Sequence, residues 1–194
     1  VIDIHKQKNL NIDIGIRCTL QCSECQRTIH KKENWPIPGK DMTIEQFDKI
    51  SNFFKGRRIY FCGSFSDPIF NPDLIEMLRM CKTKKIKAFV HTAASHKSEN
   101  WYIKAFESNV DVSWVFGIDG LPHESHLYRV NQDGEKLFNI MLKANSILTP
   151  RCTEWQYIIF DYNINSIQSA LELARKNNIY FFTIDTNRKE NVRI

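Results

Sequence analysis

Between Asn9 and Ile184 the chain switches back and forth between two hydrophobic periods, and that alternation leaves few folds open to it. Residues 9–16, NLNIDIGI, place Leu10, Ile12, Ile14 and Ile16 at every second position, the period of a strand. After a loop holding Pro36, Pro38 and Gly39, Ile44, Phe47, Ile50 and Phe54 recur at helical spacing. Thr43 and Gln46 have the spacing of a capping box for that helix, and Gly56 stops it. The unit then repeats. Residues 58–62 read as a strand, and Asn71-Pro72-Asp73 supplies an N-cap, a first-turn proline and an acid for a helix carrying Leu74, Met77, Leu78 and Cys81. Residues 86–91, 112–118, 154–160 and 179–184 read as further strands. Between them lie a helix capped by Ser98, one over residues 134–147, and one marked by Ile167, Ala170, Leu171 and Ala174. Strands alternating with helices predict a parallel sheet with right-handed crossovers. Eight such units close a barrel in about 250 residues. Six in 194 predict an α/β fold of the partial, open (βα)6 TIM-like barrel type with parallel strands, as a single domain over residues 1–194.

Composition narrows the class. With 42% hydrophobic and 25% charged residues the chain is ordinary for a globular protein. A chain of this length buries roughly 70% of the surface its unfolded form exposes, so its core needs no disulfides. The net charge of +5 is mild, and Lys and Arg are scattered apart from Lys82, Lys84, Lys85 and Lys87, so a nucleic-acid partner is not indicated. That lysine run closes a helix, where cations favour the dipole. No stretch approaches the roughly 18 apolar residues of a membrane span, and VIDIHKQKNL lacks the apolar region of a signal peptide, so a soluble, cytoplasmic protein is expected.

In parallel βα folds ligands bind at the carboxyl ends of the strands, and here that edge collects the unusual loops. The first carries Cys18, Cys22 and Cys25; the second reads Gly63-Ser64-Phe65-Ser66-Asp67-Pro68; the third, Thr92-Ala93-Ala94-Ser95; the fourth runs from Asp119-Gly120 through Arg129. Three thiolates spaced C-x3-C-x2-C can converge on one metal centre, and soft sulfur selects zinc or an iron–sulfur cluster. His30 is a local fourth ligand for zinc, whereas a 4Fe-4S cluster on three cysteines keeps one iron open. Cys62, Cys81 and Cys152 are widely separated and read as small core hydrophobes. His91, His96, His123, His126 and Glu124 fall near the same edge, where loop residues of these types are mostly solvated.

DIGIRCTLQCSEC, at the end of a first strand, resembles the cluster loop of the radical S-adenosylmethionine (SAM) enzymes. FCGSFSDPIFNPDL is similar to the Gly-Gly-Glu-Pro segment those enzymes place after the second strand, with Ser66, Asp67 and Pro68 on Gly, Glu and Pro. HTAAS resembles their Thr-Asn-Gly stretch after the third strand. GIDGLPHESHLYR resembles the Ser-Ile-Asp-Gly segment and downstream arginine of the peptide-modifying, SPASM-type branch. The resemblance implies that Cys18, Cys22 and Cys25 hold a 4Fe-4S cluster whose fourth iron is chelated by SAM. It implies that Asp67 and the backbone around Ser66, before Pro68, accept from the SAM ammonium, and that Arg129 pairs with its carboxylate. By the same resemblance Thr92 and Ser95 contact the ribose or methionine, and Tyr157, Ile159 and Phe160 wall the adenine. Departures are Glu24 for an aromatic residue before the third cysteine, Gly117 for serine, and Ser66 and Ala93-Ala94 for glycine and asparagine-glycine. No cysteine follows Cys152, so a minimal core without the C-terminal auxiliary-cluster extension is expected.

The implied reaction is reductive cleavage of SAM to a 5'-deoxyadenosyl radical that abstracts hydrogen from a peptide or protein side chain. The same chemistry on a nucleotide, RNA or small metabolite is the alternative, and a non-catalytic zinc or iron–sulfur module is a third reading. The resemblance also implies a flavodoxin or ferredoxin electron donor, which the positive charge of this chain suits.

Overall fold

In the computed structural model, which describes residues 7–186, all six strands form. They lie side by side in chain order with every neighbouring pair parallel: β1 (Asn9–Ile12), β2 (Arg58–Phe61), β3 (Lys87–Thr92), β4 (Ser113–Gly117), β5 (Thr153–Ile158) and β6 (Tyr180–Ile184). Among the described residues β1 and β6 each pair on one side only, so the sheet they form is open, as a partial barrel requires. The helices are α1 (Gln26–Lys32), α2 (Ile44–Ser51), α3 (Leu74–Thr83), α4 (Glu99–Ser108), α5 (Gly134–Ile147) and α6 (Ile167–Lys176). None of the described helices is long and apolar enough to cross a membrane.

The period of two decides which way each strand faces. Ile59, Phe61, Val90, Trp114, Phe116, Trp155 and Tyr157 are fully buried on the helix side. There Phe47 of α2 meets Phe61 at 5.8 Å, Phe106 of α4 meets Trp114 at 4.9 Å, and Phe138 of α5 meets Trp155 at 5.4 Å between ring centroids. Each such side chain contributes roughly 1.5–3 kcal/mol on burial, so this layer holds the helices to the sheet. The intervening residues, among them Tyr60, Phe89, His91, Val115 and Gln156, face the other side.

Local signals act largely as read. Gln46 N–H donates to Thr43 Oγ1 and Thr43 N–H to Gln46 Oε1, closing the capping box of α2, and Ser98 accepts the Trp101 N–H. Three differences have physical causes. The first strand stops at Ile12 rather than residue 16, because the Asp13 carboxylate turns to accept the N–H groups of Ser64 and Phe65. The helix expected through Phe54 ends at Ser51 and tightens into a single turn over Asn52–Phe54 before Gly56 at φ +72°. Asp73, not Asn71, precedes α3; the Asn71 amide donates to the carbonyls of Ile14 and Met42, while Asp73 Oδ2 accepts the Ile44 N–H. α1 was not anticipated: it begins at once after Cys25, buries no residue, and carries no apolar stripe to announce it.

Candidate active site

The loops leaving β1 to β4, together with the end of β5, enclose a cleft of about 350 Å³. Cys18, Cys22 and Cys25 form part of its wall, all as free thiols. Burial pushes the Cys18 thiol up to about 12, with the Asp67 charge adding to it. Burial also raises Cys22, against the opposing pull of Arg129. Three soft sulfur donors facing one cavity suit a polynuclear cluster. Among the described residues no three His, Cys, Asp or Glu side chains are grouped as a single-ion site. His30 does not serve as a fourth ligand: it stands outside the cleft, with Nδ1 at 2.9 Å from the Pro36 carbonyl and its ring edge-on to Trp35 and Phe65.

The second loop is wound around Asp13. Besides the Ser64 and Phe65 N–H groups, that carboxylate accepts the Ser66 hydroxyl at 2.5 Å. A Cβ on Gly63 would lie 2.4 Å from the Ser66 carbonyl oxygen, so this wrapping requires glycine there. Arg27 ties the loop to the first one by donating through Nη1 to the carbonyls of Ile16 and Phe65.

Asp67 borders the cleft but is buried and well supplied with donors. Its oxygens accept the N–H groups of Ile69, Ala93 and Ala94 and the hydroxyl of Thr92. Burial raises its carboxyl above the ordinary range, and these donors work the other way. Asp67 therefore locks the second loop to the end of β3 and occupies the Thr92 hydroxyl, while Pro68 opens the single turn Pro68–Phe70 behind it.

Two expected contacts lie elsewhere. Ser95 is buried outside the cleft, where its hydroxyl accepts the Asp133 N–H ahead of α5. Ile159 lies beyond the end of β5 and packs against the core; β5 reaches the cleft through Gln156, two residues before Ile158 on the alternating pattern. Tyr157 donates its hydroxyl to the Asn163 carbonyl on the helix side, and Phe160 touches the site only by packing on Tyr128 at 4.3 Å.

Arg129 does reach the cleft. Its Nε donates to Asp119 Oδ2 at 2.7 Å, and Asp119, fully buried, also accepts the Ile158 N–H. Gly117 makes room for the guanidinium, since a Cβ there would lie 3.1 Å from Nη2. His96 is an exposed loop residue, and its Nδ1 is 2.8 Å from the Thr19 hydroxyl of the cysteine loop. Cys62 lines the cleft, whereas Cys81 is a core residue. Sequence reasoning passed over Asp13, Arg27, Asp119 and Gln156 as functional residues. Asp119 sat in a quoted motif, and its spacing of ten residues from Arg129 was the available signal.

No family model and no curated protein matches the sequence. The fold has clear counterparts among solved structures. SuiB from Streptococcus suis bound to S-adenosylmethionine superposes with a TM-score of 0.71 at 13% identity over 95% of this chain and 42% of SuiB; SuiB has also been solved with the precursor peptide SuiA. Methylornithine synthase (PylB) superposes at 0.66 with 16% identity, over 94% of this chain and 54% of the other. AnSMEcpe with bound AdoMet superposes at 0.67 with 16% identity, over 96% and 56%. The chain thus spans from about two fifths to just over half the length of these structures. Its open six-stranded sheet is the partial-barrel fold of the radical SAM enzymes.

Proposed function

We propose that this chain is the core of a radical SAM enzyme. The observation that carries the reading is the convergence of Cys18, Cys22 and Cys25 on one cleft with Arg129 and the glycine-wrapped second loop, at the carboxyl edge of this particular fold. A 4Fe-4S cluster held by the three cysteines would supply the electron that cleaves SAM to methionine and a 5'-deoxyadenosyl radical, which abstracts hydrogen from the substrate.

The chain's own residues position the partners. Arg129, already aimed by Asp119 through Nε, has Nη N–H groups left to offer a carboxylate. The backbone around Ser66 offers carbonyl oxygens to an ammonium, and Asp13 and Asp67 fix that backbone. Beneath them His91, Val115 and Gln156 form a floor facing the substrate. His91 Nε2 is buried there without a hydrogen-bond partner among the described residues, and burial lowers the pKa of the ring, keeping it neutral. A neutral imidazole beside a carboxamide suits a neutral hydrogen-bonding group such as a peptide amide. SuiB, solved with a precursor peptide, supports a peptide or protein substrate. Methylornithine synthase, with the same fold, keeps a small metabolite as the alternative. A flavodoxin or ferredoxin is the natural electron donor.

The test is anaerobic reconstitution with iron and sulfide, addition of SAM and dithionite, and quantification of 5'-deoxyadenosine for the wild type and Cys22→Ala. Product that vanishes in the variant is the expected result. Tightly bound zinc with no SAM binding would overturn the reading in favour of a metal-binding module.

A further inference from the structure

Arg129 is held more firmly than a ligand-binding arginine at a cleft mouth needs to be. Its side chain is 15% exposed and that of Asp119 is 0% exposed. Asp119 grips Nε through Oδ2 and is itself pinned by the Ile158 N–H of β5 through Oδ1. The guanidinium lies 5.4 Å from the centre of the Tyr128 ring and passes over Gly117. With Nε committed, the Nη groups are left for the cleft, which Arg129 lines together with Cys22.

The backbone on both sides holds the two residues near each other. Gln21, just before Cys22, donates its N–H to the carbonyl of Val130, just after Arg129, at 3.0 Å. Asn131 donates its side-chain amide to the Thr19 carbonyl at 3.2 Å. The first and fourth loops are thus stitched together beside Cys22 and Arg129. Cys22 is the buried member of the cysteine trio; Cys18 and Cys25 are half-buried.

We infer that Arg129, aimed by Asp119, donates a hydrogen bond to the Cys22 sulfur as a cluster ligand and thereby raises the reduction potential of the cluster. This inference rests on the radical SAM reading above and goes beyond it, since it assigns the arginine a task that exists before any SAM is bound. A thiolate that accepts an N–H bond and faces a cation places less negative charge on its iron, so adding an electron costs less. Charge assistance strengthens the bond, and burial keeps salt from screening it. Asp119 is a positioning residue: it selects which edge of the fork faces the sulfur.

The test is the midpoint potential of the reconstituted cluster without SAM, followed by the electron paramagnetic resonance signal of the reduced form, with iron and sulfide content measured in each sample. Arg129→Met is expected to disfavour reduction at least tenfold, a shift of about 59 mV to more negative potential for one electron. Arg129→Lys keeps the charge without the fork and is expected to fall between. Because a stranded Asp119 could unfold the single variant, the pair Arg129→Met with Asp119→Asn removes both charges together; a negative shift there reports the lost N–H donor at unchanged net charge. Fully loaded variants whose potentials match the wild type would overturn the inference, as would lost SAM affinity with an unaltered SAM-free potential, which would leave Arg129 a carboxylate ligand only. A wild type that assembles no 4Fe-4S cluster on its three cysteines would instead remove the radical SAM reading, and the inference with it.

Discussion

His91 shows how a single position on an alternating strand acquires a chemical character. β3 buries Ala88, Val90 and Thr92 against the helices, so His91 faces the cleft, tilted on Tyr60 at 5.8 Å between ring centroids. Desolvation depresses its pKa, and Gln156 only partly restores it. The unfolded chain therefore binds a proton at His91 more readily than the folded one. The stability this gives the folded state is present above the ordinary histidine value of about 6.5 and is lost as pH falls through the depressed folded value. Urea unfolding at pH 7.5 and 5.0 is expected to show a loss of stability in the wild type that is smaller in His91→Gln. The two slopes should differ by at most about 1.4 kcal/mol per pH unit, the limit for one proton. At this scale the sequence was informative wherever a residue type declares its chemistry. The cysteines and Arg129 stand in the cleft, but Asp13 was read only as a strand residue because its partners lie 51 and 52 residues away. Ser95 was misplaced for the complementary reason: a hydroxyl beside a motif has no local mark telling whether it faces a ligand or a neighbouring helix.

Elements declare themselves through caps and periods: α2, α4 and α5 start on a side-chain cap, whereas α3 and α6 have none and are marked by their periods. Thr43 and Gln46 satisfy two otherwise orphaned donors at the start of α2, and the Asp73 carboxylate takes a third from Ile44. Thr43→Ala is expected to lower unfolding stability by about 1 kcal/mol with no change in denaturant dependence, as equilibrium urea titration would show. α5 starts after Asp133, whose side chain accepts the Lys136 N–H, and its first position takes glycine because a Cβ there would sit 2.0 Å from the Pro122 carbonyl oxygen. α1 had neither an apolar stripe nor a side-chain cap, so nothing in its seven residues distinguished it from a loop. The first and fifth strands were read past their ends at Ile12 and Ile158, where the Asp13 carboxylate turns to the second loop and the Asp119 carboxylate takes the Ile158 N–H.

The molecule as a whole is a sheet in strict chain order, and its cleft is assembled from successive βα units. The cysteine loop is fastened to the rest by Arg27, His96, Val130 and Asn131, so loading that loop should be felt across the fold. A centre that binds the folded chain and not the unfolded one stabilises it by mass action. On the proposed function, reconstitution with iron and sulfide is expected to raise Tm, each 1 kcal/mol of linkage appearing as about 2–4 °C in a chain of this size. Cys18→Ala should erase the difference, as differential scanning calorimetry under anaerobic conditions would report. The order of the strands was the most legible property of the whole, since alternating periods with short connections admit few other arrangements.

The clasp between Gln21 and Val130 also fixes a timetable for the growing chain. The three thiols are made first, yet the residues that close over them come from the fourth unit, more than a hundred positions later. At synthesis rates of about 5–20 residues per second, the cysteine loop spends on the order of ten seconds unfastened at the ribosome. In that interval the nascent thiols lack the clasp that Val130, beside Arg129, later supplies.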